Sequence, residues 1–250
     1  MLGSHHARPV LPAAVLLVLA VGASPLPVLA EVPVDLELVL AVDVSGSVDP
    51  DEAKLQRDGY IAALMNPKVQ QAIAGGPFGR IAATYVEWAG ESHQQVIVGW
   101  TELGDRASLS TFASAIGEAP FTTAHWTSIS SAIDFSARLF DGNGFEGTRR
   151  VIDVSGDGEN NRGRPAEWAR DEAVARGITI NGLPILNDRP NPLGGLAPID
   201  LERYYRANVI GGPGAFLVPA GDFGAFAEAI LNKLLLEISN APPGTDVAQR

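Results

Sequence analysis

The sequence predicts an α/β domain: doubly wound, with a mostly parallel six-stranded sheet and one antiparallel edge strand. Three observations carry this reading. Strand-like and helix-like segments alternate from Val34 onward, the pattern of parallel strands joined by helical crossovers. Two strand-like runs, Arg80–Trp88 and Gln95–Thr101, are separated only by Ala89–Gln94, too short for a crossover, so they form a hairpin. The first run, Leu36–Val42, is apolar almost throughout, as a strand covered on both faces must be.

The first strand leads into a helix opened by Asp49 and Pro50, an N-cap followed by proline at the first helical position. Ala53, Tyr60, Ile61 and Leu64 fall on one face of that helix. After the hairpin, Asp105–Ile116 carries Leu109, Phe112, Ala113 and Ile116 at core spacing. A further helix starts near Thr127, turns Ile129, Ala132, Ile133, Ser136 and Phe140 inward, and stops at Asp141-Gly142-Asn143-Gly144. Arg149–Ser155 is a strand, Pro165–Arg176 a helix closed by Gly177, and Ile178–Ile185 the next strand. A Pro/Gly-rich loop, Asn187–Pro198, precedes a short helix at Leu201–Asn208 and a last short strand at Ala215–Pro219. Asp222–Ser239 completes the domain as a helix with Phe223, Phe226, Ala227, Ile230, Leu234 and Ile238 in one stripe. No tandem repeat is present.

Residues 1–30 read as a signal peptide, residues 31–240 as the domain and residues 241–250 as a loose tail. Arg8 precedes an apolar run, Val10–Ala23, that is short for a bilayer span, and Val28 and Ala30 frame a cleavage before Glu31. The expected product is an exported protein, periplasmic or secreted. The chain has no cysteine, which excludes disulfides, thiol catalysis and cysteine zinc sites. With Arg8 removed, 17 basic and 29 acidic residues leave a net charge of −12, a poor match to nucleic acid or anionic lipid.

The chemistry concentrates where strands end. Asp43, Ser45 and Ser47 form D-x-S-x-S directly after the first strand. Alternate side chains on a turning backbone converge on one point, and a carboxylate with two hydroxyls suits a hard cation, Mg²⁺ or Mn²⁺. In an open α/β sheet, functional groups gather outside the carboxyl ends of the strands. Asp157, after Arg149–Ser155, and Thr127, opening the helix before it, should reach the same crevice.

These residues resemble the von Willebrand factor A-type domain with its metal-ion-dependent adhesion site, a variant of the Rossmann-like architecture. The first loop of that site is matched by Asp43, Ser45 and Ser47, the second by Thr127 and the third by Asp157. The match in element order covers about residues 34–240, and within the superfamily the chain resembles a group of exported bacterial proteins. Many members have glycine before the second-loop threonine, where this chain has Trp126, and threonine before the third-loop aspartate, where it has Gly156. Thr122 and Thr123 are alternatives to Thr127.

The resemblance implies a cation-dependent protein-binding module whose metal takes a carboxylate from an Asp or Glu of a partner protein. The competing class is a metal-dependent hydrolase, for which His125 is the local base candidate. A third reading is a degenerate scaffold that binds through another surface. Trp126 either packs under its loop or stands out as an anchor. Trp88 and Trp100 belong to the core, and Trp168 to the core or a subunit contact. Asn160 and Asn161 are turn residues or hydrogen bond toward site waters.

Overall fold

The structure is a computed structural model that describes residues 30–186, 200–221 and 225–239. The expected loop Asn187–Pro198 and tail 241–250 lie outside these residues, as does the signal segment but for Ala30. The described residues from Glu31 onward form one compact unit.

Five strands make the central sheet: β2 (Glu37–Asp43), β3 (Ile81–Trp88), β4 (Gln94–Leu103), β6 (Arg150–Gly156) and β7 (Ile178–Pro184), in the order β4-β3-β2-β6-β7. β2 pairs in parallel with β3 and β6, β6 pairs in parallel with β7, and β3–β4 is the antiparallel edge hairpin. The mostly parallel sheet and its single antiparallel edge are therefore as expected. Strand order reverses at β2, whose last residue, Asp43, is thus delivered to the switch-point crevice.

The sixth strand does not form. Within Ala215–Pro219, Leu217 makes only an isolated parallel bridge, to Gly182, and beyond it Ala220 makes another, to Ile185. The Asn181 side chain takes the Phe216 N–H at 3.0 Å, diverting a donor from a ladder, and Pro213 and Pro219 bring no N–H. A second pairing was not foreseen: β1 (Val32–Val34) runs parallel to β5 (Phe145–Gly147).

Side-chain alternation on β2 builds two cores. Leu38, Leu40 and Val42 face α1 (Pro50–Leu64), α2 (Pro67–Ala74), α3 (Arg106–Glu118) and α7 (Phe226–Ser239). Val39 and Ala41 face α4 (Ile129–Arg138), α5 (Ala166–Ala175) and a π-helical turn, Tyr205–Val209, that extends α6 (Leu201–Tyr204). Burying each such aliphatic side chain contributes about 1.5–3 kcal/mol. Trp88 is fully buried, Trp100 is half-buried and donates to the Leu139 carbonyl, and Trp168 is exposed.

The start of α1 sits just beyond the D-x-S-x-S loop. Asp49 Oδ1 accepts from the N–H groups of Asp51 and Glu52, and Glu52 Oε2 accepts from the Asp49 N–H, a full capping box. This cap, worth about 1 kcal/mol, fixes where the loop ends and the helix begins.

Candidate metal centre

Asp43 bends its own backbone. Its Oδ1 accepts the Ser45 N–H at 2.7 Å, the local hydrogen bond that makes aspartate a turn former. The turn brings Ser45 Oγ and Ser47 Oγ to 3.0 Å. Ser47 Oγ donates to Asp157 Oδ1 at 2.7 Å, joining the first loop to the end of β6. Thr127 Oγ1 donates to Ser45 Oγ at 3.4 Å, joining the loop before α4. All five sequence-predicted residues therefore meet. Asp43, Ser45, Thr127 and Asp157 are buried, and Ser47 is half-buried at the rim.

Thr127, and not Thr122 or Thr123, reaches the cluster; the other two are exposed. Two asparagines hold it there. Asn161 Oδ1 accepts the Thr127 N–H and the Asn161 N–H donates to the Thr127 carbonyl, both at 2.9 Å. Asn160 Oδ1 accepts from Ser130 N, so the two side chains serve the loop just before α4 and its first turn. Trp126 has φ 72°, a left-handed conformation rare for a bulky residue and costing about 1–3 kcal/mol. It is 57% exposed while Thr127 next to it is 5% exposed. The Arg162 guanidinium lies 5.4 Å from the Trp126 ring centre and pairs with Glu91. Trp126 thus stands out as a rim residue. His125 is exposed, and its carbonyl passes so close to Gly90 that a Cβ there would lie 2.6 Å away.

The glycine at 156 has a structural reason. A Cβ on it would lie 2.8 Å from the Tyr205 hydroxyl and 2.9 Å from Asp43 Oδ2. Tyr205 fills the space that a side chain would need, a long-range contact that sequence spacing does not reveal. Gly156→Ala is expected to cost about 1–3 kcal/mol through overpacking, read as a lowered thermal midpoint. An unchanged midpoint would show that Tyr205 or Asp43 moves aside freely.

The electrostatics are those of an acidic cluster. Burial first, and the Asp157 carboxylate second, hold the Asp43 carboxyl well above its usual range. Asp157 is raised by burial and by Glu52, against the lowering effect of the Ser47 hydrogen bond. The Tyr205 phenol is pushed up by burial and then by Asp43 and Asp157. Asp43 Oδ2 is buried without a hydrogen-bond partner. Among the described residues no three His, Cys, Asp or Glu side chains group around one point; the donors here are two carboxylates and three hydroxyls. That hard-oxygen set, with an orphaned carboxylate oxygen, fits a divalent cation such as Mg²⁺.

A family model described as "Protein of unknown function (DUF1194)" matches residues 33–242. The chain belongs to this family. No curated protein matches it. Among solved structures, the chain is similar to proximal thread matrix protein 1 from the mussel byssus: 12% identity, TM-score 0.59, covering 84% of this chain and 49% of that one. It is also similar to a von Willebrand factor type A protein from Catenulispora acidiphila: 15% identity, TM-score 0.56, covering 82% and 43%. A third likeness is to the pilus adhesin SpaC from Lactobacillus rhamnosus GG: 15% identity, TM-score 0.58, covering 82% and 31%. A further structure of the mussel protein, at 15% identity and TM-score 0.55, has a zinc-occupied MIDAS motif. The chain spans less than half the length of these structures. At such identities the likeness is one of fold, and this member of the family has the von Willebrand A fold.

Proposed function

We propose that this chain is an exported, divalent-cation-dependent protein-binding module. Asp43, Ser45, Ser47, Thr127 and Asp157 hold the cation, Mg²⁺ by preference and Mn²⁺ as an alternative. The observation that carries the reading is the convergence of three separate loops on one hydrogen-bonded cluster with a buried, unpartnered Asp43 Oδ2. A zinc-occupied MIDAS motif in a protein of the same fold supports a divalent cation.

The bound cation would supply positive charge and an exchangeable coordination position for a partner's Asp or Glu carboxylate. The chain's own residues prepare that role. Asp43 and Asp157 concentrate negative charge at the crevice, and the neutral hydroxyls of Ser45, Ser47 and Thr127 add donors without further repulsion. Trp126 and Arg162 flank the crevice as an apolar surface and a cation for the rest of the partner. A single carboxylate cannot distinguish one acidic protein from another, so these neighbours set specificity.

The test is capture on the immobilised domain from envelope and culture extracts, with Mg²⁺ and again with a chelator. Partner retention with Mg²⁺ and release by chelator is expected; retention unaffected by chelator would overturn the reading. Export rests on the composition of residues 1–30. Mass spectrometry of the released protein is expected to place its N-terminus at Glu31, whereas residues 1–30 retained in a membrane fraction would contradict it.

A further inference from the structure

A second group of ionisable side chains lies wholly inside the domain. Asp153 projects from β6 toward α7, Lys233 and Glu237 lie one turn apart on α7, and Asn181 lies on β7. All four are buried, Lys233 and Asp153 completely. Lys233 Nζ is 2.5 Å from Asp153 Oδ1 and 2.5 Å from Glu237 Oε1. The Phe216 ring centre is 5.6 Å from Nζ, and Asn181 Nδ2 donates to Glu237 Oε1 at 3.1 Å.

The amine bridges two buried carboxyl groups: it donates to Glu237 Oε1 and forms a fully buried ion pair with Asp153.

We propose that Lys233 and Asp153 condense to an amide, a covalent link between α7 and β6, with Glu237 as the proton carrier. Two ionic groups joined in water do not condense, because ionisation of amine and acid stabilises the separate pair. Burial removes that stabilisation and disfavours the separate ions. The Asp153 carboxyl is pushed up to about 7, chiefly by burial, against the opposing pull of Lys233.

One proton passes from the ammonium to the Asp153 carboxylate. The Lys233 lone pair then attacks Asp153 Cγ. Glu237 accepts a proton from Nζ and returns it to the departing hydroxyl, the C–O bond breaks, and one water leaves. No oxidant, reductant or co-reactant enters, and Glu237 ends in its starting state. Fixed juxtaposition replaces activation, since well-oriented intramolecular groups react at effective molarities of roughly 10⁵–10⁸ M. In a chain without cysteine, such a link ties the last helix to the sheet independently of redox conditions.

The wild-type full chain, purified, unfolded and digested with trypsin, provides the test. Cleavage after Arg150 and Arg162 releases residues 151–162, which contain Asp153. The expected product is that peptide joined to the segment holding Lys233, lighter than the two together by one water, with no cleavage after Lys233. Lys233→Arg is expected to release residues 151–162 free, and Glu237→Gln to lower the joined fraction at least tenfold after equal times. Free residues 151–162 from wild type, together with cleavage after Lys233, would overturn the proposal and leave a buried ion pair. A joined fraction unchanged in Glu237→Gln would remove the proton-carrier role.

Discussion

Replacing Asp43 by alanine is expected to abolish saturable Mg²⁺ or Mn²⁺ binding in titration calorimetry while the domain remains folded. Asp43 is the more deeply buried of the cluster's two carboxylates, and its Oδ2 has no other partner. Ser47→Ala and Thr127→Ala each remove one neutral donor and are expected to weaken binding without eliminating it. The pH dependence follows from the same charges. Asp43 and Asp157 are both raised in the folded protein, so the folded state holds protons that the unfolded chain releases. Their contribution to stability is full below the ordinary carboxylate range and declines as pH rises from there through the raised values. Added Mg²⁺ is expected to restore stability at neutral pH, by about 2.7 kcal/mol at a hundredfold excess over Kd, and to lose effect in acid, where protons compete for the same oxygens. Asp43→Asn keeps an oxygen for the Ser45 N–H but no charge, so its thermal midpoint is expected to respond to neither chelator nor Mg²⁺. Equal cation binding by wild type and Asp43→Ala would remove the central claim.

The parts of this site that were legible in the sequence are those written as local patterns. D-x-S-x-S at a strand end, a threonine at a helix start and Asp-Gly after an apolar strand each declare a position, and the α/β topology brings the positions together. The same signal that locates α1, a capping residue followed by proline, recurs at Asn66-Pro67, where it opens α2. The β1–β5 pairing was not readable, since three residues carry no period. Gly156 looked like a departure from pattern because its reason, Tyr205, lies on a distant turn of the chain. α7 misleads for a related reason. Its apolar stripe holds at Phe226, Ile230, Leu234 and Ile238, whereas Asp222 and Phe223 lie outside the described residues; Ala227 is exposed while Lys233 and Glu237 are buried, because Asp153 and Asn181 receive them from the sheet. A helical period sorts apolar from polar residues and cannot show that a charged residue has a buried partner on another element.

Arg57→Met is expected to destabilise the domain by about 3–5 kcal/mol, the cost of leaving one member of a buried ion pair alone. Arg57 Nε and Nη2 hold Glu87 Oε1 and Oε2 at 2.8 and 3.0 Å, a two-point contact between α1 and β3. The same guanidinium donates to the carbonyls of Ala119 and Pro120, and the Phe121 ring centre lies 5.4 Å from it. That segment continues to Ala124, which bridges Ser45, so the pair supports one wall of the candidate metal centre as well as the core. Burial raises the Glu87 carboxyl even with Arg57 opposing it. Without Arg57 it rises further, and the variant is expected to lose stability progressively as pH climbs above the ordinary carboxylate range, approaching wild type in acid. Denaturant unfolding across pH checks both the size and the sign. Adding Glu87→Leu to Arg57→Met removes the stranded charge and should recover most of the loss at neutral pH. The carbonyls of Ala119 and Pro120 stay without their donor in that double variant. Its cation affinity should therefore remain below wild type although its core is repaired, which separates the pair's contribution to the fold from its contribution to the site.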